Sequence, residues 1–112
     1  MKTISLTTRI EAALETCFDL ARDIDFHTRS LNDTREIAVG GVMSGLIGLG
    51  ESVTFRGRHF GLSHEHTSKI THFERPHHFR DEMVRGRFRL FIHDHYFEAD
   101  RNGAVMKDVI RF

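Results

Sequence analysis

Two pairs of histidines, each with one residue between its members, are the residues of this sequence best suited to chemistry. The segment "GLSHEHTS" contains His64 and His66, and the segment "FIHDHYFE" contains His93 and His95. Imidazole can bind a metal ion, exchange a proton near neutral pH or hydrogen-bond a polar ligand. Alternate residues of a β-strand lie on the same face, so each pair would project two imidazoles to one side of a sheet.

Apolar residues in phase with the histidines indicate which side of the sheet that is. Phe91 and Phe97 share the strand face of the second pair, and Leu62 and Ile70 share the face of the first. Because apolar side chains favour the interior, both pairs are expected to face a cavity on the concave side of a curved sheet. The predicted ligand-binding residues are Phe55, Leu62, His64, His66, Ile70, Phe91, His93, His95 and Phe97.

The same histidines could bind a metal ion if all of them converge. Zinc takes three or four nitrogen, oxygen or sulfur ligands at about 2.0–2.3 Å, and His59 or Asp108 could join such a set. The aromatic neighbours instead favour imidazoles that anchor an organic ligand with one polar end. We therefore predict no metal and no other cofactor, with four residues kept as the metal-ligand candidates: His64, His66, His93 and His95.

Asp108 is a further residue of interest, because it shares a strand face with Met106 and Ile110. This pattern predicts a buried carboxylate. Such a group needs a hydrogen-bonding or charged partner, and an arginine or a histidine would serve.

The composition limits the classes of function that remain. A chain of 112 residues is long enough for a single domain, which we expect to span residues 1–112. Its 16 basic and 16 acidic residues give no net charge, which argues against a nucleic-acid partner. No segment approaches the roughly 20 apolar residues of a membrane span. The single cysteine, Cys17, fits a reducing compartment, so we expect a cytoplasmic protein.

The periodicity of apolar residues changes once along the chain. Residues 2–8 alternate as a short strand, whereas residues 9–24 carry an apolar stripe with helical spacing that includes Cys17. Thr8 with Glu11 three residues later predicts an N-terminal capping box, and Asp23 or Asp25 could cap a second short helix. From Arg35 onward the pattern predicts six strands, and Asn102-Gly103 marks a hairpin turn. The predicted fold class is α+β, with a curved antiparallel sheet of about seven strands and two short helices.

Residues 40–50 combine five glycines with several apolar side chains. This composition fits a flexible flap that closes over an apolar site. It fits equally well a turn whose apolar residues pack on the rim of the core.

Five segments carry a family resemblance: "EAALETCFDLARDIDFHTRS", "GLIGLGESVTFRGRHFG", "SKITHFERPHHFRDEMVRGRF", "FIHDHYF" and "VMKDVIRF". Together with the order of elements, they resemble the START-like, or SRPBCC, superfamily of helix-grip domains, in particular its uncharacterised bacterial branch of polyketide cyclase/dehydrase-like proteins. The resemblance implies a small-molecule cavity between the sheet and the helices. Family members normally continue into a long C-terminal helix, which has no counterpart before Phe112. We therefore expect a homodimer in which a second copy covers the open face.

The leading functional hypothesis is a binding or carrier protein for a small apolar or aromatic ligand. One alternative is a cyclase/dehydrase-like enzyme, in which one histidine removes a proton and another protonates an oxygen. The other is a His-rich metal-binding protein.

Overall fold

The computed structural model describes residues 1–30, 36–59 and 62–112, without the side chain of His59. It confirms the predicted α+β class: seven antiparallel strands form one curved sheet, with two short helices. In chain order the elements are β1 (Thr3–Ile10), α1 (Leu14–Ala21), α2 (Ile24–Ser30), β2 (Ile37–Gly41), β3 (Ser52–His59), β4 (Leu62–Glu74), β5 (His78–Arg85), β6 (Ile92–Asp100) and β7 (Gly103–Arg111).

The sheet has the strand order β1-β7-β6-β5-β4-β3-β2. From β2 to β7 each strand pairs with the next along the chain, and β1 returns to pair with β7. The predicted hairpin joins β6 to β7, with Asp100 opposite Gly103. None of the described helices is long and apolar enough to cross a membrane.

Phe18 of α1 anchors the helices to the concave face of the sheet. Its ring makes edge-to-face contacts with the rings of Phe73, Phe79 and Phe97, at centroid separations of 5.2 to 5.4 Å. Aromatic rings prefer this geometry, and Phe18 and Phe97 are completely buried. Cys17 is also buried in this cluster, as its place on the apolar stripe predicted.

The predicted capping box at Thr8 is wrong. β1 continues through Thr8, which pairs with Met106, to Ile10, which pairs with Ala104. These residues are therefore part of a strand that pairs with β7. Helix α1 begins only at Leu14 and has no side-chain cap. The second predicted cap is present, since the backbone N–H of Phe26 donates to Asp23 Oδ1 at 3.1 Å.

The glycine-rich segment packs against the junction of the two helices. The N–H of Ile24 donates to the carbonyl of Gly45, and the N–H of Ile47 donates to that of Arg22. Ile47 is only 3% exposed and belongs to the core. At Gly41, where φ is +68°, a Cβ would collide with the backbone of Ser52, so glycine is required. These contacts favour the interpretation as a turn on the rim of the core, and closure as a flap stays a prediction.

Asp94 is a fully buried carboxylate at the centre of an ionic network on the convex face of the sheet. It accepts hydrogen bonds from Arg80 Nε at 2.8 Å, His78 Nε2 at 2.7 Å and Arg111 Nη1 at 3.0 Å. Burial alone would raise the pKa of Asp94, but these hydrogen bonds and the charge of Arg80 lower it to about 2. The network ties β5 and β7 to the central strand β6.

We expect Asp94→Asn to lower the free energy of unfolding by about 2–4 kcal/mol, because it leaves two guanidinium groups without their buried anion. The folded-state pKa lies below the unfolded value, so this contribution is present above about pH 4 and is lost as the pH falls toward 2. Urea unfolding at pH 7 and at lower pH values measures both effects. Asp100→Asn is the matched control, since Asp100 forms an exposed ion pair with Arg9 and should cost no more than about 1 kcal/mol. Equal losses in the two variants would contradict this assignment.

Candidate ligand-binding cavity

The concave face encloses a cavity of about 790 Å³ between the sheet, the α1–α2 junction and the segment that precedes β6. Seven of the nine predicted ligand-binding residues line it: Phe55, His64, His66, Ile70, Phe91, His93 and His95. Strand pairing explains why both histidine pairs reach one face. Phe55 lies opposite His66, Phe79 lies opposite His95, and Asp81 lies opposite His93.

The other two predicted residues lie outside the cavity wall. Leu62 begins β4 and is 63% exposed. Phe97 has the predicted strand face, but Phe18 covers it completely, so it belongs to the core. The side chain of His59, proposed as a further metal ligand, lies outside the described residues.

The two histidine pairs lie on β4 and β6, which are separated by β5. Among the described residues, the group of potential metal ligands contains His93 and His95 but neither His64 nor His66. His66 Nε2 hydrogen-bonds the hydroxyl of Ser68 at 3.0 Å, and its ring meets the edge of Phe91. His93 and His95 stack on each other at 3.7 Å between centroids and contact carboxylates.

Asp81 of β5 and Asp108 of β7 flank the second pair, so the four side chains form an ionic cluster across three strands. His93 Nε2 lies 2.8 Å from Asp108 Oδ1, and His95 Nε2 lies 2.7 Å from Asp81 Oδ2. The other ring nitrogen of His95, Nδ1, lies 3.2 Å from Asp108 Oδ1. Asp108, predicted to be a buried carboxylate, is half-buried and has the expected kind of partner, two histidines.

The cluster shifts the ionisation of its members. Burial lowers the pKa of His95, but contacts with Asp108 and Asp81 outweigh it and raise that pKa. Burial raises the pKa of Asp108, yet the hydrogen bonds from His93 and His95 hold it well below its usual range. This corner of the cavity thus favours bound positive charge.

The pKa of His66 shifts in the opposite direction from that of His95. Burial lowers its pKa, and the charges of Asp81 and Glu36 only partly offset the effect. A neutral imidazole can both donate and accept a hydrogen bond, so this part of the cavity suits an uncharged polar group.

Aromatic rings surround one side of the cavity. Phe88 and Phe91 both line it, their rings are 5.2 Å apart, and both contact Phe112. On another side His27 lies against the ring of Phe55 at 4.4 Å and hydrogen-bonds Glu36.

Fifteen cavity residues were not among those predicted from the sequence, among them Phe79, Asp81, Arg87 and Phe88. Phe79 and Asp81 alternate on β5, and this alternation could have indicated a shared face. Arg87 and Phe88 lie between β5 and β6, where residues 86–91 are not strand. Strand alternation therefore does not indicate which face these two side chains take.

Comparisons with known proteins support the fold without naming a function. No protein-family model and no curated protein matches the chain. Among solved structures, protein CV1439 from Chromobacterium violaceum has a TM-score of 0.81 at 14% identity, covering 97% of this chain and 78% of its own. Protein Ms6760 from Mycobacterium smegmatis has a TM-score of 0.75 at 16% identity, covering 98% and 71%. The major latex-like protein 151 from Panax ginseng has a TM-score of 0.70 at 11% identity, covering 97% and 76%.

The lowered pKa of His66 can be tested by following the imidazole signals of the protein by NMR as the pH falls. We expect the His66 signals to shift at a lower pH than the ordinary imidazole value of about 6.5. The variant His66→Gln assigns the signals by removing them. A midpoint for His66 above about 6.5 would contradict burial as the dominant effect on its pKa.

Proposed function

We propose that this protein binds or carries a small apolar or aromatic ligand in the concave cavity. The single observation that supports this function is the combination of a cavity of about 790 Å³ with an apolar wall and a small number of imidazoles. Ligand pockets in proteins commonly measure about 300–1,000 Å³ and have this mixed lining.

The apolar wall sets the class of ligand. Eight large apolar side chains contribute to it: Ile24, Ile47, Val53, Phe55, Ile70, Phe79, Phe88 and Phe91. Burying a ligand against them gains roughly 25 cal/mol for each Å² of apolar surface removed from water, before the costs of ordering. The imidazoles of His64 and His66 would then hydrogen-bond a polar end of the ligand.

The proposed family is consistent with this function. We propose that the chain has a START-like fold, because its seven-stranded sheet and two helices match those of the solved structures at TM-scores of 0.70 to 0.81. Identities of 11 to 16% support the fold alone, so the ligand is inferred from the cavity and not from these proteins.

The cavity can be tested with 1-anilinonaphthalene-8-sulfonate, a fluorescent probe with an apolar ring system and one polar group. We expect wild type to bind the probe, and His64→Trp to weaken binding about tenfold or more, a loss of about 1.4 kcal/mol, because the indole fills the cavity. Fluorescence titration of the probe measures the Kd.

The control is His72→Trp, which makes the same change on the same strand. His72 lies opposite Arg80, is exposed and faces the convex side. The natural chain has no tryptophan, so indole fluorescence in each variant comes from the introduced residue alone. We expect the control to bind the probe as wild type does. An equal loss in both variants, or none in either, would contradict binding in this cavity.

A second candidate function, proton transfer on a bound substrate, is favoured by the contacts of His93 and His95 with carboxylates. A carboxylate that orients an imidazole is a common arrangement for general acid–base catalysis. Native mass spectrometry can separate the two functions, because a ligand that co-purifies should leave a carrier chemically unchanged. A change in its mass during incubation with wild type but not with His95→Gln would favour the enzyme.

We also propose that two chains associate through β1. This strand is an edge of the sheet, and its concave-facing residues Ile4 and Leu6 are 43% and 55% exposed. An exposed apolar edge strand is a template for pairing with another chain. We expect light scattering after size exclusion to give the mass of two chains for wild type and of one chain for Leu6→Lys. A single-chain mass for wild type would contradict the dimer.

A further inference from the structure

The ionic cluster contains a set of potential metal ligands that differs from the one expected from the sequence. Asp81, His93 and His95 each bring one ligating atom within 4.8 Å of those of the other two, and all three are half-buried. Among the described residues, this group includes neither His64 nor His66. Two imidazole nitrogens with one carboxylate oxygen form a donor set typical of first-row transition metals.

The nitrogens that face Asp81 are those needed for ligation. His95 Nε2 lies 2.7 Å and His93 Nδ1 lies 4.0 Å from the same atom, Asp81 Oδ2. Ligands at about 2.0–2.1 Å from one metal ion lie roughly 3 Å from one another. A shift of about 1 Å would bring His93 Nδ1 to that separation from Asp81 Oδ2, and the stacked rings would also have to rotate for both nitrogens to face one ion.

Asp108 contacts the remaining nitrogen of each ring. It lies 2.8 Å from His93 Nε2 and 3.2 Å from His95 Nδ1 through the same oxygen, Oδ1. Histidines that bind metals usually donate their second N–H to a carboxylate or carbonyl, which fixes the ring and leaves the first nitrogen free to ligate. Asp108 is in the position to do this for both rings at once.

We propose that Asp81, His93 and His95 bind a divalent first-row transition metal ion such as Zn²⁺ or Fe²⁺, with Asp108 as a positioning residue. The three ligands belong to adjacent strands, β5 and β6, so the sheet itself holds them in place. All three also line the cavity, and this leaves the opposite side of the ion open to water or to a bound molecule. Magnesium and calcium are disfavoured, because they prefer sites made of oxygen atoms.

The experiment uses Co²⁺ as the probe, because its visible absorption reports its ligands, followed by displacement with Zn²⁺. We expect protein treated with a chelator to bind one Co²⁺ per chain. We expect His93→Gln and Asp81→Asn each to weaken binding at least about 100-fold. Asp108→Asn should weaken it by about 10–100-fold while the absorption spectrum stays that of the same ligands.

The matched controls are His64→Gln and His66→Gln, which remove imidazoles from the same cavity and should leave the Co²⁺ affinity within about threefold. Thermal unfolding gives an independent measurement. Zn²⁺ should raise the Tm of wild type and of both controls, and should not raise that of His93→Gln, as expected for a ligand that binds only the folded state. Circular dichroism of the metal-free proteins establishes that each variant is folded.

Two results would overturn the proposal. One is the absence of stoichiometric Co²⁺ binding by folded wild type. The other is an equal loss of affinity in His64→Gln and in His93→Gln, which would mean that both histidine pairs bind the metal ion. Neither result is a test of probe binding, which the titrations of His64→Trp and His72→Trp measure separately.

Discussion

The burial of one carboxylate, Asp94, determines which residues of β6 can face the cavity. An ionised carboxylate without access to water requires compensating partners, and Arg80, His78 and Arg111 provide them on the convex side. Because strand residues alternate, a slip of one position would move Asp94 into the cavity and turn His93 and His95 away from it. The register that buries Asp94 is therefore the register that exposes these imidazoles to a ligand.

The same three strands carry a second ionic network on the concave side, and its chemistry differs. On the convex side two guanidinium groups, which stay protonated at any physiological pH, contact one carboxylate. On the concave side two imidazoles contact Asp81 and Asp108, and imidazoles exchange their protons near neutral pH. The convex network also contains the imidazole of His78, but its two guanidinium groups keep it ionic at physiological pH. Under the proposals above, the concave network is the one that would bind a metal ion or contact a ligand, and the convex network would hold the strand register.

The alternation of residues predicted the sheet and the face of both histidine pairs, and the dipeptide Asn102-Gly103 predicted the hairpin between β6 and β7. It could not place Phe97 at the right depth, because only the packing of Phe18 distinguishes core from cavity on that face. Nor could it identify Asp81 as the neighbour of His93. That contact depends on the register of β5 against β6, and the two strands are joined by residues 86–91, which are not strand and whose conformation residue alternation does not give. The capping prediction at Thr8 was wrong for a related reason, because the pairing of β1 with β7 overrides a local capping signal.

A bound cation would make the ionic cluster compatible with the apolar wall of the same cavity, because it would neutralise the carboxylates of the cluster. With neutral imidazoles, Asp81 and Asp108 give the corner two negative charges, and covering these with an apolar ligand would remove them from water at a high cost in free energy. A divalent cation held by Asp81, His93 and His95 would cancel both charges. It would also present an open coordination position to the polar end of the ligand. Metal and apolar ligand are therefore expected to favour each other's binding, because each lowers the cost of the other.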